Sequence, residues 1–167
     1  MQRIGVVANT YLRRVRKLAE LSPTESGFLA AAWVLARPVT FGLSQLGFPR
    51  VVRWLEQVPA RPAPGRIGVG RGEVLVRWAF RAAAFETTTT CLPRAIVQYL
   101  LHQTFGPEPR LVVGVARSNE ASPPPGLEWT LGAHAWVEER GGPPREPTFA
   151  PILTLSRAEG VVRADGR

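Results

Sequence analysis

The chain has 167 residues, 45% of them hydrophobic, and a formal net charge of +8 in which Lys17 is the only lysine. That length suits one domain with a buried core, and the apolar fraction is that of an ordinary globular protein. Cys91 is the only cysteine, which excludes an internal disulfide framework and a zinc-type cysteine cluster and fits a reducing compartment.

In chain order, Met1-Gln2-Arg3-Ile4-Gly5 lacks the charged head, apolar stretch and cleavage site of a signal peptide, so the expected location is cytoplasmic. Arg13, Arg14, Arg16 and Lys17 form the one basic cluster; the other arginines are scattered and no aromatic platform for bases interleaves them. A nucleic-acid partner is therefore not expected, and an acidic peptide suits the charge equally well. Ser22, Pro23 and Glu25 spell a capping box with proline in the first turn, predicting a helix from there toward Arg37. Pro38 should break or kink it, with residues 39–46 as a second helical piece. The apolar run over 28–36 reads as too short to span a bilayer. Another amphipathic helix follows Pro49, with Val51, Val52, Trp54, Leu55 and Val58 apolar.

Residues 59–72, rich in Pro, Gly and Arg, read as a linker. Its Gly-Val-Gly run has neither the preceding strand nor the spacing of a phosphate-binding fingerprint. Helices are predicted over 73–85 and 92–103, the second ended by Gly106-Pro107. A valine-rich strand over 110–116, a triple-proline loop over 118–126 and a strand over 128–138 follow. After the Gly141-Gly142-Pro143-Pro144 turn, residues 146–152 read as a proline-broken edge strand, and the tail beyond Ser156 reads as loose. Helices first and an antiparallel sheet second make an α+β fold.

Cys91 stands at a predicted helix start, after four threonines and two residues before Pro93. The positive end of a helix dipole favours thiolate, the reactive form, and first-turn N–H groups can stabilise an oxyanion. The alternative is a buried structural cysteine. His102, eleven residues along the same helix, lies roughly 16 Å away along the axis; it cannot be the base and reads as a surface histidine near a helix end. His134 sits on the second strand, sharing a face with Trp136 while Ala133 and Ala135 face the other way. A helix packed on this sheet could bring Cys91 within reach of His134 as a thiolate–imidazole pair; otherwise His134 is a half-buried histidine bonded to backbone. Asp165 is the only aspartate and lies in the tail. The group orienting the imidazole must then be a glutamate, and Glu146, on a strand returning from a tight hairpin, is the choice over a plain solvated carboxylate. Glu138 shares the right face but is too far along its strand to reach back.

Thr90-Cys91-Leu92-Pro93-Arg94-Ala95, the strand over 110–115, Ala133-His134-Ala135-Trp136-Val137-Glu138 and Phe149-Ala150-Pro151-Ile152 resemble the lasso peptide biosynthesis leader peptidases. These are transglutaminase-like cysteine proteases of ribosomal peptide maturation. The resemblance is strong over 73–155 and one of pattern only over 22–58. It implies a helical N-terminal region and linker (1–72) packed with a transglutaminase/papain-like catalytic core (73–167), together one compact unit. It implies removal of the leader from a lasso precursor peptide, with no cofactor and no metal. The partners implied are the precursor, a separate small leader-recognition protein and the ATP-dependent lasso cyclase; none is a nucleic acid or a membrane. Carried over, Cys91 is the nucleophile and His134 the general base. Glu146 stands twelve residues after His134, where the family carries an aspartate. The competing readings are another transglutaminase-like acyl transferase or amidase, and a non-catalytic basic module for peptide or RNA.

Overall fold

The computed structural model describes residues 18–58, 66–83, 91–116, 133–146 and 149–163. Readings on the basic N-terminal cluster, the threonine run, the triple-proline loop and the first residues of the second strand fall outside them. Four helices, α1 (Pro23–Leu46), α2 (Phe48–Gln57), α3 (Val69–Ala82) and α4 (Cys91–Phe105), precede four strands, β1 (Pro109–Ala116), β2 (Ala133–Glu139), β3 (Phe149–Ser156) and β4 (Gly160–Arg163). The architecture is α+β, as the pattern of elements predicts.

The capping box at the head of α1 forms in full. Glu25 N–H donates to Ser22 Oγ (3.2 Å) and Ser22 N–H to Glu25 Oε2 (2.9 Å), satisfying two of the orphan donors of the first turn. Bonding to the Ser22 N–H, and then to Arg71, holds the Glu25 carboxyl below its usual range. Pro38 does not end this helix, which continues to Leu46. Proline lacks the N–H that would bond to the Val34 carbonyl, but Val34 is 62% exposed and Pro38 also faces solvent. Water can hydrate the released carbonyl there, so the break costs less than on the buried face. Uninterrupted, α1 has the length and composition of a membrane-crossing helix. Its opposite stripe is nevertheless core: Phe28, Ala32, Ala36 and Val39 are buried.

Helix α3 begins four residues before the predicted start, inside the stretch that reads as linker. One of its glycines, Gly72, is there for packing. A Cβ on Gly72 would lie 2.4 Å from His102 Nε2 and 3.2 Å from Phe28 Cζ, so only glycine lets α3 lie this close to α1 and α4. Helix α4 is buried almost all round, from Ala95 to His102, as befits the central helix of a bundle. His102, read as a surface residue, is only 1% exposed, and its ring lies 5.5 Å from that of Phe28. Its place follows from what surrounds it: two glycines, Gly72 and Gly106, leave room for the imidazole.

The sheet is antiparallel between all neighbours, in the order β2-β1-β3-β4. Leu111, Val137 and Leu155 lie in register across three strands and join the helix-packed core. The predicted tight hairpin after β2 does not form. β1 lies between β2 and β3, so those two run parallel and their connection crosses over. β3 is therefore an inner strand rather than an edge. Its Pro151 is tolerated because it faces Gly114 at a bulge, where the register skips Ile152. Nor is the chain beyond Ser156 loose throughout: it turns back as β4, and the Glu159 carboxylate accepts from Arg110 (2.9 Å) and from Ser156 Oγ, while the Glu159 N–H donates to Ser156 Oγ.

Candidate active site

Cys91 is the first residue of α4 and is half-buried. In this first turn Cys91 and Leu92 carry backbone N–H groups, while Pro93 carries none. Two donors at the positive end of a central helix thus lie beside the thiol. Across from it runs β2, an edge strand of the sheet among the described residues. A cavity of about 280 Å³ opens between them, lined by Cys91, Ala95 and Gln98 of α4, Glu73 and Val76 of α3, residues 134–137 of β2, and Arg145 and Glu146. The three residues singled out in the sequence, Cys91, His134 and Glu146, therefore border one space, though they come from three different parts of the chain.

Their rings and charges are not joined directly. Among the described residues no hydrogen bond links Cys91 to His134, or Glu146 to His134. The His134 imidazole is held instead by aromatic neighbours. It stacks on Trp136 (centroids 5.8 Å, 15°) and lies 5.1 Å from the Phe149 ring. Those two rings also meet each other at 6.0 Å.

Strand alternation explains this. His134, Trp136 and Glu138 lie on one face of β2, while Ala135 and Val137 lie on the other and join the helix-packed core. Trp136 reaches over β1 because Gly114 leaves a notch: a Cβ there would lie 2.8 Å from Trp136 Cη2 and 2.8 Å from the Ala150 carbonyl oxygen.

One wall of the cavity is ionic. Arg145 Nη2 donates to Glu73 Oε2 at 2.9 Å, and Arg77 donates to the same carboxylate. Arg145 Nη1 also reaches the Val137 carbonyl at 3.4 Å. The strap ties the segment after β2 to α3. Deeper in, Gln98 Nε2 donates to the Val69 carbonyl at 2.8 Å, fixing the start of α3 against α4. No group of three His, Cys, Asp or Glu among the described residues is placed to hold a metal ion.

Sequence reasoning missed Glu138. It is buried, and its Oε1 accepts from Trp136 Nε1 (2.8 Å) and from the Arg145 N–H (3.1 Å). Its reach along the strand ends at Trp136, two residues away, and among the described residues it makes no bond to His134, in line with the reading that it lies too far along to serve that ring. The signal was present, since i and i+2 side chains share a face and an indole N–H needs an acceptor when buried.

A cysteine at a helix start, followed by a strand that carries a histidine on an antiparallel sheet, is the order of elements expected of a transglutaminase-like α+β fold. Residues 33–154 match the family described as the transglutaminase-like superfamily, and the chain belongs to it. That superfamily is generally catalytic, encompassing cysteine proteases and transglutaminases. No curated protein and no solved structure matches the chain.

Proposed function

We propose that the protein is a cysteine peptidase that removes the leader from a lasso precursor peptide. The observation that carries the reading is the shared cavity bordered by Cys91, His134 and Glu146, within a chain of the transglutaminase-like superfamily. In this reading His134 takes the Cys91 proton, and the thiolate attacks the carbonyl carbon of the last leader residue. The resulting oxyanion is met by the Cys91 and Leu92 N–H groups. Collapse expels the core's N-terminal amine, which takes the proton back from imidazolium. Water, deprotonated by His134, then releases the leader carboxylate and regenerates the thiol. Glu146 would orient the imidazole once the site closes on substrate. A small leader-recognition protein would deliver the precursor, and an ATP-dependent cyclase would take up the freed amine. The setting is cytoplasmic.

Mass spectrometry of a precursor incubated with the protein and its recognition partner tests this. The expected result is hydrolysis at one bond, lost in Cys91→Ala. Superfamily membership equally supports acyl transfer: incorporation of an added primary amine in place of hydrolysis would replace the peptidase by a transferase. Unchanged function in Cys91→Ala would leave a binding module, and a steep salt dependence of RNA binding would identify its ligand.

A further inference from the structure

We propose that Glu138 is a positioning residue for the site. Through one carboxylate oxygen it ties the Trp136 indole, on which the His134 ring lies, to the backbone N–H of Arg145, the residue before Glu146. The step from position to catalysis rests on the peptidase reading above; the step from Glu138 to the His134 ring does not.

The geometry makes Glu138 a junction. The β2-to-β3 connection leaves the sheet after Glu139 and must carry Glu146 back to the level of His134. Nothing in the β ladder holds it there, because β1 separates β2 from β3. The Arg145 N–H bond to Glu138 is one of the two attachments of Arg145 to β2, the other being the long contact to the Val137 carbonyl. On its other side the same oxygen fixes the indole. Trp136 lies in the Gly114 notch and contacts both the His134 and Phe149 rings. With no hydrogen bond to His134 from the described residues, the packing of these rings sets the imidazole plane. A tryptophan pinned at its N–H cannot pivot in the notch, whereas one released from Glu138 can. A buried carboxylate with two donors is a costly group to place beside an aromatic cluster unless both donors need it.

Three variants separate positioning from packing. Glu138→Gln keeps an oxygen that can accept both bonds. Glu138→Met keeps the volume and loses both. Trp136→Phe keeps an aromatic ring on β2 and removes the indole donor together with the part of the ring that fills the Gly114 notch. With two histidines in the chain, the imidazole proton signals are followed by NMR and assigned with His134→Gln. Stacking on Trp136 shifts the His134 ring protons in the wild type. We expect that shift to be lost in Glu138→Met, retained in Glu138→Gln and altered in Trp136→Phe, with the circular dichroism of each variant native. In precursor cleavage we expect Glu138→Met to lower kcat at least ten-fold with KM within two-fold, and Glu138→Gln to stay within about three-fold of wild type. A His134 signal unmoved in Glu138→Met, or moved equally in the Gln and Met variants, overturns the proposal. If the wild type and Cys91→Ala are equally inactive on the precursor, the peptidase reading fails. The resonance result then still decides whether Glu138 sets the ring.

Discussion

Both ring nitrogens of His102 are buried without a hydrogen-bond partner among the described residues. Burial, and then the charge of Arg145, lowers its pKa from 6.5 to about 4. Between these values the unfolded chain binds a proton that the native chain does not. Stability contributed by keeping this imidazole neutral is therefore fully present above pH 6.5 and is lost as pH falls to about 4. The loss amounts to about 3.5 kcal/mol at most, at about 1.4 kcal/mol per unit. Urea melts at pH 7 and pH 4.5 should show it, and His102→Leu, of similar size and without a titrating group, should flatten the difference over this window. An unchanged slope in His102→Leu would assign the acid sensitivity to other groups. Glu25, whose native pKa is held below the carboxylate norm, acts in a lower window, below about 4.5. The distance that removes His102 from catalysis was legible in the sequence, because helical rise is a local property. Its burial was not, because the glycines that admit the ring stand thirty residues before it and four after it. A partner on another helix leaves no periodic mark on the histidine's own segment.

Elements were legible in proportion to how locally they are determined. The capping box of α1 needs only Ser22 and Glu25 and forms as spelled. The strand carrying His134 and the helix opened by Cys91 follow from apolar spacing. The start of α3 and the place of β3 are tertiary outcomes. Glycine in the first turns of α3 reads as loop by propensity, yet Gly72 is where the helix meets His102 and Phe28. Two alanine substitutions within a single turn should then act in opposite directions. Gly72→Ala gains helix propensity of about 1 kcal/mol but drives a methyl into the imidazole, an overpacking cost of about 1–3 kcal/mol. Gly70→Ala is exposed, its Cβ meeting nothing nearer than Arg145 Nη2 at 3.9 Å, and should stabilise by about 0.5–1 kcal/mol. Thermal melts of the two variants decide it: a higher Tm for Gly72→Ala would mean that α3 does not pack this closely. The candidate site shows the same division. Cys91, His134 and Glu146 are chosen on residue type, order and resemblance, and all three border the cavity although the hairpin expected to carry Glu146 does not form, whereas the contacts of Glu138 depend on the crossover that returns Arg145 to β2, a connection no spacing in the sequence encodes.

At the scale of the molecule, the helices ahead of residue 59 and the half that holds the candidate site share one core. Phe28 of α1 packs its ring on His102 and, edge-on at 5.7 Å, on Phe105, both of α4. Ala32, Ala36 and Val39 bury the same stripe, and Arg71 of α3 bonds Glu25 of α1 at 2.6 Å. The family match itself begins at residue 33, inside α1. A fragment beginning at residue 66 would keep every residue of the candidate site, yet it would expose the faces of α3 and α4 that α1 covers. It would also leave the buried imidazole of His102 open to water. Its remaining core of two helices and a small sheet is of a size that is marginal without other support. Calorimetry of that fragment should therefore show no cooperative transition. The full chain should melt in one step, and precursor cleavage, if the peptidase reading holds, should require residues 23–58. A fragment that melts cooperatively near the full chain's Tm would make α1 and α2 a cover laid on an independent domain. The aromatic contacts of Phe28 would then contribute little to holding α4, and with it the position of Cys91, in place.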